Sequence, residues 1–410
     1  MINISGALFV FSFLVLIVVF FKKEMKLASN FMIYAFFSLL YTLFPFLTFC
    51  GIEPSIWFRH FSLNESELLI TTQTIIMSLC NLVFAFIYYL KYQKPVSPVM
   101  KNEKRGSTLI FIFYCLFCLG LIYWGFKSSY VNITSESEHS LISNFKAILA
   151  GVYLFYIVQY GINYRVFFMF IGFVILLLVE QSRWYFISVL IGSSLYLQNE
   201  KNVSNKVIIC ILLVFLILLS WVGLYRSNVV IEDYTLILNP FFIEGDYGSY
   251  MILQTYDLFY RGKIEFYTFF SDYLFDPLLY FIPRPIFMIF DVDKEAIGIF
   301  KYFVSYHEGF LNEEYAPVGG FHYLAQASSA LPFIGPLVIT YLFSILTVKI
   351  DNNIYKSKFH NLTYYLYSSG FMFVFIKTIF HQTIKYYFTL AVPAYVLFFL
   401  LRKTKIIIKK

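Results

Sequence analysis

The sequence predicts an all-α polytopic integral membrane protein, with about eleven transmembrane helices and one large extracytoplasmic loop between spans eight and nine. Three observations carry that expectation. Of the 410 residues, 60% are hydrophobic and 13% charged, roughly half the charged fraction of a soluble domain, and mean hydropathy is +0.71. Apolar runs of about 17 residues or more recur from end to end, the length that spans a bilayer as a helix. Lysine and arginine concentrate in alternate connections between those runs, as the positive-inside rule requires of cytoplasmic segments.

Spans are expected near residues 5–21, 29–50, 68–90, 108–126, 147–163, 166–180, 184–198, 207–224, 329–348, 362–379 and 386–401. The first run, Ser5 to Phe21, has neither a basic start nor a small-residue cleavage site, so it reads as a retained span and not a signal peptide. The basic connections are residues 22–26, 91–105, Arg165, 201–206, 349–358 and the tail 402–410. Their alternation puts the N-terminus outside, the C-terminus in the cytoplasm, and residues 225–328 outside as an extracytoplasmic loop. Residues 1–410 then form a single transmembrane domain. The net charge of +7 is the sum of a basic cytoplasmic face and an acidic outer one, and it calls for no nucleic acid.

Cys50, Cys80, Cys115, Cys118 and Cys210 all fall inside apolar runs, which argues against a disulfide framework. Cys115 and Cys118 share a redox-pair spacing, but on a lipid-embedded helix they read as small apolar residues.

The loop is not a soluble domain in composition. Tyr260 to Phe290 is dense in aromatics and broken by Pro277, Pro283 and Pro285, which suits amphipathic helices lying in the outer interface. A loop pressed on the membrane suits a substrate that is itself half lipid.

Candidate chemistry gathers at the outer level. Glu180 and Arg183 stand where spans six and seven meet, Arg226 follows span eight, and Arg284 lies between Pro283 and Pro285, which fix its backbone. An arginine offers a planar fork of donors matched to phosphate oxygens and stays charged at any working pH. Arg183, Arg226 and Arg284 at one depth would form a diphosphate cradle, to which Arg261 could add. Each alone also reads as a headgroup anchor. His322, after the Gly319-Gly320 pair, is the first candidate for a general base, since an imidazole titrates near neutrality; its bland alternative is a polar cap on span nine. Glu244 and Glu265 are alternative bases or sugar-binding carboxylates, and His381 on the last outer turn could face the same cavity. Asp291-Val-Asp293 has the Asp-x-Asp form of metal-dependent sugar transfer, but two acids in an acidic outer loop produce it by chance. No His/Cys metal spacing, nucleophile elbow or phosphate loop occurs, so neither a metal nor a cofactor is expected.

Taken together, the outer arginine Arg226, Ile282-Pro-Arg-Pro285, Gly319-Gly-Phe-His-Tyr-Leu-Ala-Gln-Ala327 and Phe333-Ile-Gly-Pro336 give the chain a known look. It resembles the bacterial O-antigen and capsule repeat-unit polymerases of the Wzy type, relatives of the O-antigen ligases. Where many of that group carry an acid shortly after the glycine pair, this chain has Gln326. Where they often have Asn-Phe-Gly, it has Leu331-Pro-Phe-Ile-Gly335. The resemblance implies a multi-pass enzyme of the bacterial cytoplasmic membrane. It would transfer a glycan from undecaprenyl diphosphate to a hydroxyl of a second lipid-linked unit, without metal. Arg183, Arg226 and Arg284 would bind the diphosphate and His322 would be the base. A chain-length regulator and a flippase would be its protein partners. The alternatives are a repeat-unit flippase, the ligase and a membrane O-acetyltransferase.

Overall fold

A computed structural model describes residues 2–49, 67–95, 107–127, 136–180, 183–226, 252, 256, 260, 323–377 and 380–408. At several helix ends, among them 180, 183–184, 223–226 and 381–382, it describes the backbone only. All regular structure among these residues is helical.

In chain order the helices are α1 (Ile2–Lys22), α2 (Asn30–Phe49), α3 (Glu67–Lys91), α4 (Thr108–Lys127), α5 (Glu136–Tyr160), α6 (Tyr164–Glu180), α7 (Arg183–Glu200) and α8 (Asn205–Arg226). There follow α9 (Tyr323–Ala330), α10 (Ile334–Asn353), α11 (Lys358–Leu366), a π-helical segment (Tyr367–Met372), α12 (Phe373–Lys377) and α13 (Phe380–Ile408). Among the described residues, five stretches are long and apolar enough to cross a membrane: Ile4–Lys22, Glu67–Lys91, Thr108–Gly125, Ile334–Asn353 and Thr383–Arg402. Their outward faces carry large apolar side chains such as Phe11, Leu116 and Val396, as lipid contact demands.

The basic connections converge on one end of the bundle. Lys26 Nζ donates to the Gln198 carbonyl oxygen at 2.8 Å, Lys94 pairs with Glu24 at 2.5 Å, and the Tyr355 hydroxyl donates to the Asn199 carbonyl oxygen at 3.1 Å. Beside Lys94, the exposed Glu24 carboxyl is held below its ordinary pKa. Four helices that start at this end do so on a capping side chain. Ser29 accepts from Met32 N, Ser107 from Ile110 N, Asn163 from Arg165 N and Val166 N, and Ser357 from His360 N. Each cap satisfies an amide that the first helical turn leaves without an acceptor. Asp351 near the end of α10 ties α2 and α3 to it, accepting from Asn30 Nδ2 at 2.6 Å and from the Tyr88 hydroxyl at 2.8 Å.

Two apolar cores make up the bundle. One joins α1, α2, α3, α9, α10, the π-helical segment and α12 around Tyr34, Phe84, Tyr323, Phe343 and Phe375. The other joins α4 to α8, α11 and α13 around α5, in which Leu149, Ala150 and residues 152–158 are all buried. Ile187, Ile191, Ile350, Tyr386 and Tyr387 pack against both, so the seam runs between α7, α10 and α13. Where α5 meets α13 the backbones touch: a Cβ on Gly151 would lie 1.9 Å from the Leu390 carbonyl oxygen, the close approach that small residues allow between membrane helices.

Two expectations need correction. Helix α5 begins at Glu136, well before the expected span start at 147, and α13 begins at Phe380, not at 386. The last residues assigned to the outer loop are helical and largely buried. Residues 323–330 form α9, which doubles back along α10 through Leu331-Pro332-Phe333, where Phe333 takes a left-handed φ of 62°. The pair is antiparallel: a Cβ on Gly335 would lie 2.1 Å from the Ala327 carbonyl oxygen, while the Tyr323 hydroxyl reaches Thr340 Oγ1 at 3.3 Å. Tyr323 is buried against Phe343 and Phe375. The segment thus ends inside the bundle because α9 is apolar on the side that meets α10 and α12.

Candidate functional site

The seam reaches the end of the bundle opposite the basic connections, where a buried and a half-buried lysine lie. From Tyr160 at the basic end, Lys146 lies fourteen residues back along α5, or about 21 Å. Tyr185 is fifteen residues from the end of α7 at Glu200, and Lys385 is seventeen residues before Arg402 on α13, distances of about 22 and 25 Å. The three residues therefore share one layer. A hydrocarbon core is about 30 Å thick, a little more than these distances.

Lys146 is buried, with 7% of its surface exposed, although a lysine is seldom buried without a counter-charge or a function. Its ammonium stands 5.7 Å from the centre of the Tyr185 ring, within range of a cation–π attraction. The Tyr185 ring packs 5.4 Å from that of Tyr386. The Tyr386 hydroxyl meets Ser188 Oγ at 2.8 Å, which fixes the phenol between α7 and α13. The start of α13 is held a second time, where Phe380 N donates to Gln326 Oε1 of α9 at 2.7 Å. Lys385, half-buried, lies one residue before Tyr386 on α13, in the same layer. Lysines and phenols that share one layer suit a polyanion such as a diphosphate. Lysine binds one as a point charge, without the directional fork of arginine.

The expected site residues stand in a definite relation to this cluster. Arg183 is the first residue of α7, two before Tyr185, and His381 is the second of α13, four before Lys385. Arg226 ends α8, twenty-one residues from Asn205, whereas Arg183 is seventeen from Glu200; along their helices the two differ by about 6 Å. Only the backbone of these three is described. Glu244, Arg261, Glu265, Arg284, His322 and the Asp291-Val-Asp293 pair lie outside the described residues. Tyr323, which follows His322, starts the buried α9.

Within the loop three described residues dock on the bundle. Ile252 and Tyr256 are buried, the Tyr256 hydroxyl meets Ser328 Oγ at 2.8 Å, and the Tyr260 hydroxyl meets Thr72 Oγ1 at 3.1 Å. Their spacing of four puts them on one helical face. They bring the loop onto α9 and α3, on the same side of the molecule as α9's contact with α13.

Lys146 and Lys385 were the residues that the apolar pattern concealed. Each precedes an expected span by one position, and so reads as a boundary charge until the helix is seen to begin earlier. Compared with protein-family models, curated proteins and solved structures, the chain matches none, so its function is argued from these residues themselves.

Proposed function

We propose that this chain is an eleven-span glycosyltransferase of the bacterial cytoplasmic membrane that polymerises lipid-linked oligosaccharide repeat units. The observation that carries this is the buried Lys146 and the half-buried Lys385 in one layer at the end opposite the basic connections, where Ile252, Tyr256 and Tyr260 of the expected outer loop also dock. With the basic end in the cytoplasm, that layer faces outward, where a glycan on undecaprenyl diphosphate would present its charge just above the lipid tails.

On this reading the acceptor hydroxyl of one unit attacks the anomeric carbon of another. The bond from that carbon to the diphosphate oxygen breaks, a bond to the acceptor oxygen forms, and the hydroxyl proton passes to His322. The diphosphate leaves with its electron pair. Lys146, Lys385, Arg183, Arg226 and Arg284 stabilise the growing negative charge in a site of low dielectric, where fixed cations are most effective. Tyr323, the next residue in the chain, is buried at the start of α9. No covalent nucleophile is needed, because the leaving group is already good.

A second reading, a repeat-unit flippase, is favoured by one observation. Asp351 is buried and borders a cavity of about 490 Å³ that is also lined by Lys26, Tyr92 and Asn199 at the basic end, and ionisable groups inside a bundle are common on transport paths. The two hydrogen bonds from Asn30 and Tyr88, however, give that carboxylate a structural role in tying three helices.

A gel of surface polysaccharide from cells lacking this gene separates the readings. A single repeat unit on its lipid anchor, with no ladder above it, is expected for the polymerase. Repeat units trapped on the cytoplasmic side would mean a flippase. Complete polymer left on its lipid carrier would mean a ligase, and ladders lacking one modification would mean an acyltransferase.

A further inference from the structure

A cavity of about 400 Å³ opens at the basic end between α5, α11 and α13. Its wall is mainly apolar, with Phe155 on α5, Phe359 on α11, and Phe398 and Leu401 on α13, beside Gln159 on α5. Phe359 packs 5.9 Å from Phe398, centre to centre, and leaves 36% of its own surface exposed. The lip carries two cations, Lys358 at the first turn of α11 and Arg402 where the apolar stretch of α13 ends. Among the described residues, no carboxylate borders the cavity. Neither cation makes an ion pair or hydrogen bond among the described residues, whereas Lys26 and Lys94 at the same end both do. The neighbouring Ser357 Oγ is already engaged by His360.

A pair of uncompensated cations above an apolar slot, level with the end of a membrane helix, has a complementary ligand: a phosphate diester attached to acyl chains. We propose that this cavity is a binding site for an anionic glycerophospholipid of the cytoplasmic leaflet, its phosphate between Lys358 and Arg402 and one acyl chain along Phe359 and Phe398. Basic pockets between helices on the cytoplasmic side recognise anionic headgroups in this way. The apolar wall distinguishes a lipid from a free phosphate, which would gain nothing from four aromatic or aliphatic side chains. The site lies at the opposite end from the cationic layer and is independent of what that layer does. A bound lipid would bridge α5, α11 and α13, the helices that carry Lys146 and Lys385 to the other end.

The test compares dioleoylphosphatidylglycerol with dioleoylphosphatidylcholine, which share acyl chains and differ in charge, titrated into the full-length protein in detergent and followed by native mass spectrometry. The wild type is expected to bind the anionic lipid on the order of tenfold more tightly, given roughly one charge contact from each cation, and the double variant Lys358→Gln, Arg402→Gln to bind the two equally. Glycerol 3-phosphate is expected not to bind. Equal affinity of the wild type for both lipids, or a preference surviving in the double variant, would overturn the proposal; so would tight binding of glycerol 3-phosphate, which would make the site one for free phosphate. If the double variant does not fold, a phosphatidylglycerol with a photoreactive acyl chain decides on the wild type. Labelling of peptides holding Phe359 or Phe398 supports the site, and labelling only elsewhere contradicts it.

Discussion

The Lys146 ammonium lies 5.7 Å from the centre of the Tyr185 ring, which joins the buried cation of α5 to the first turn of α7, where Arg183 begins the helix. If this cation meets developing charge, Lys146→Met should lower the rate of polymer formation on the order of 10²-fold, the scale of removing one preorganised electrostatic contact. Lys146→Arg should recover most of it. Tyr185→Phe should be nearly silent because the ring face remains, and Tyr185→Leu should not. The check is polymer yield at matched amounts of protein in the membrane. Wild-type yield from Lys146→Met would remove the residue from the site.

Arg226→Ala and Arg284→Ala should each abolish polymer while leaving the protein in the membrane. Lysine at either position should rescue poorly, because a point charge cannot replace a bidentate fork. The same gel reads both outcomes. Full activity in both alanine variants would end the idea of an arginine cradle and leave the two lysines to carry the charge.

Gly151 sets the distance between α5 and α13. Gly151→Ala places a Cβ 1.9 Å from the Leu390 carbonyl oxygen, a backbone atom that cannot swing aside, so the helices must part. Overpacking of this kind costs about 1–3 kcal/mol, visible as a lowered midpoint of thermal unfolding in detergent. Gly120→Ala, whose Cβ would meet nothing within 4 Å, is the matched control and should be close to neutral.

The general architecture was legible in the sequence because it rests on run length and on where the basic residues fall. Every expected span overlaps a helix, and the basic connections do meet at one end. The lysines of the site were not legible for a physical reason. Hydropathy sees a charge as the end of a span, yet α5 continues as helix through residues 136–146, so that Lys146 is carried into the interior. Likewise α9 looked like the tail of a loop. Its eight residues are too short to register as a span, and its burial comes from the reversal at Phe333 and the close contact of Gly335 with Ala327, which only the folded chain brings together. Gln326, which stood out as a departure from an acid, turns out to accept the Phe380 amide.

That last contact makes a separate prediction. Gln326→Leu removes the acceptor of Phe380 N–H and should destabilise the start of α13 by about 1 kcal/mol. Gln326→Glu keeps an oxygen in place and should retain stability. Unfolding midpoints of the two variants distinguish a fixed hydrogen bond from mere apolar packing, for which leucine would be the better tolerated.

Asp351 offers a parallel case at the basic end. Asp351→Leu leaves Asn30 Nδ2 and the Tyr88 hydroxyl without their acceptor and should cost about 1–3 kcal/mol, whereas Asp351→Asn keeps one acceptor oxygen and should cost less. Polymer formation by Asp351→Asn should be near normal. A loss of activity without loss of stability would favour the transport reading of the inner cavity.

The most direct measurement is made on the purified protein in liposomes, supplied only with a repeat unit on undecaprenyl diphosphate and no other enzyme. The account predicts a ladder of longer glycans on the lipid together with release of undecaprenyl diphosphate, both lost in Arg226→Ala and strongly reduced in Lys146→Met. Movement of intact repeat units across the bilayer with no new glycosidic bond would contradict it, and would make Lys146 and Lys385 part of a transport path.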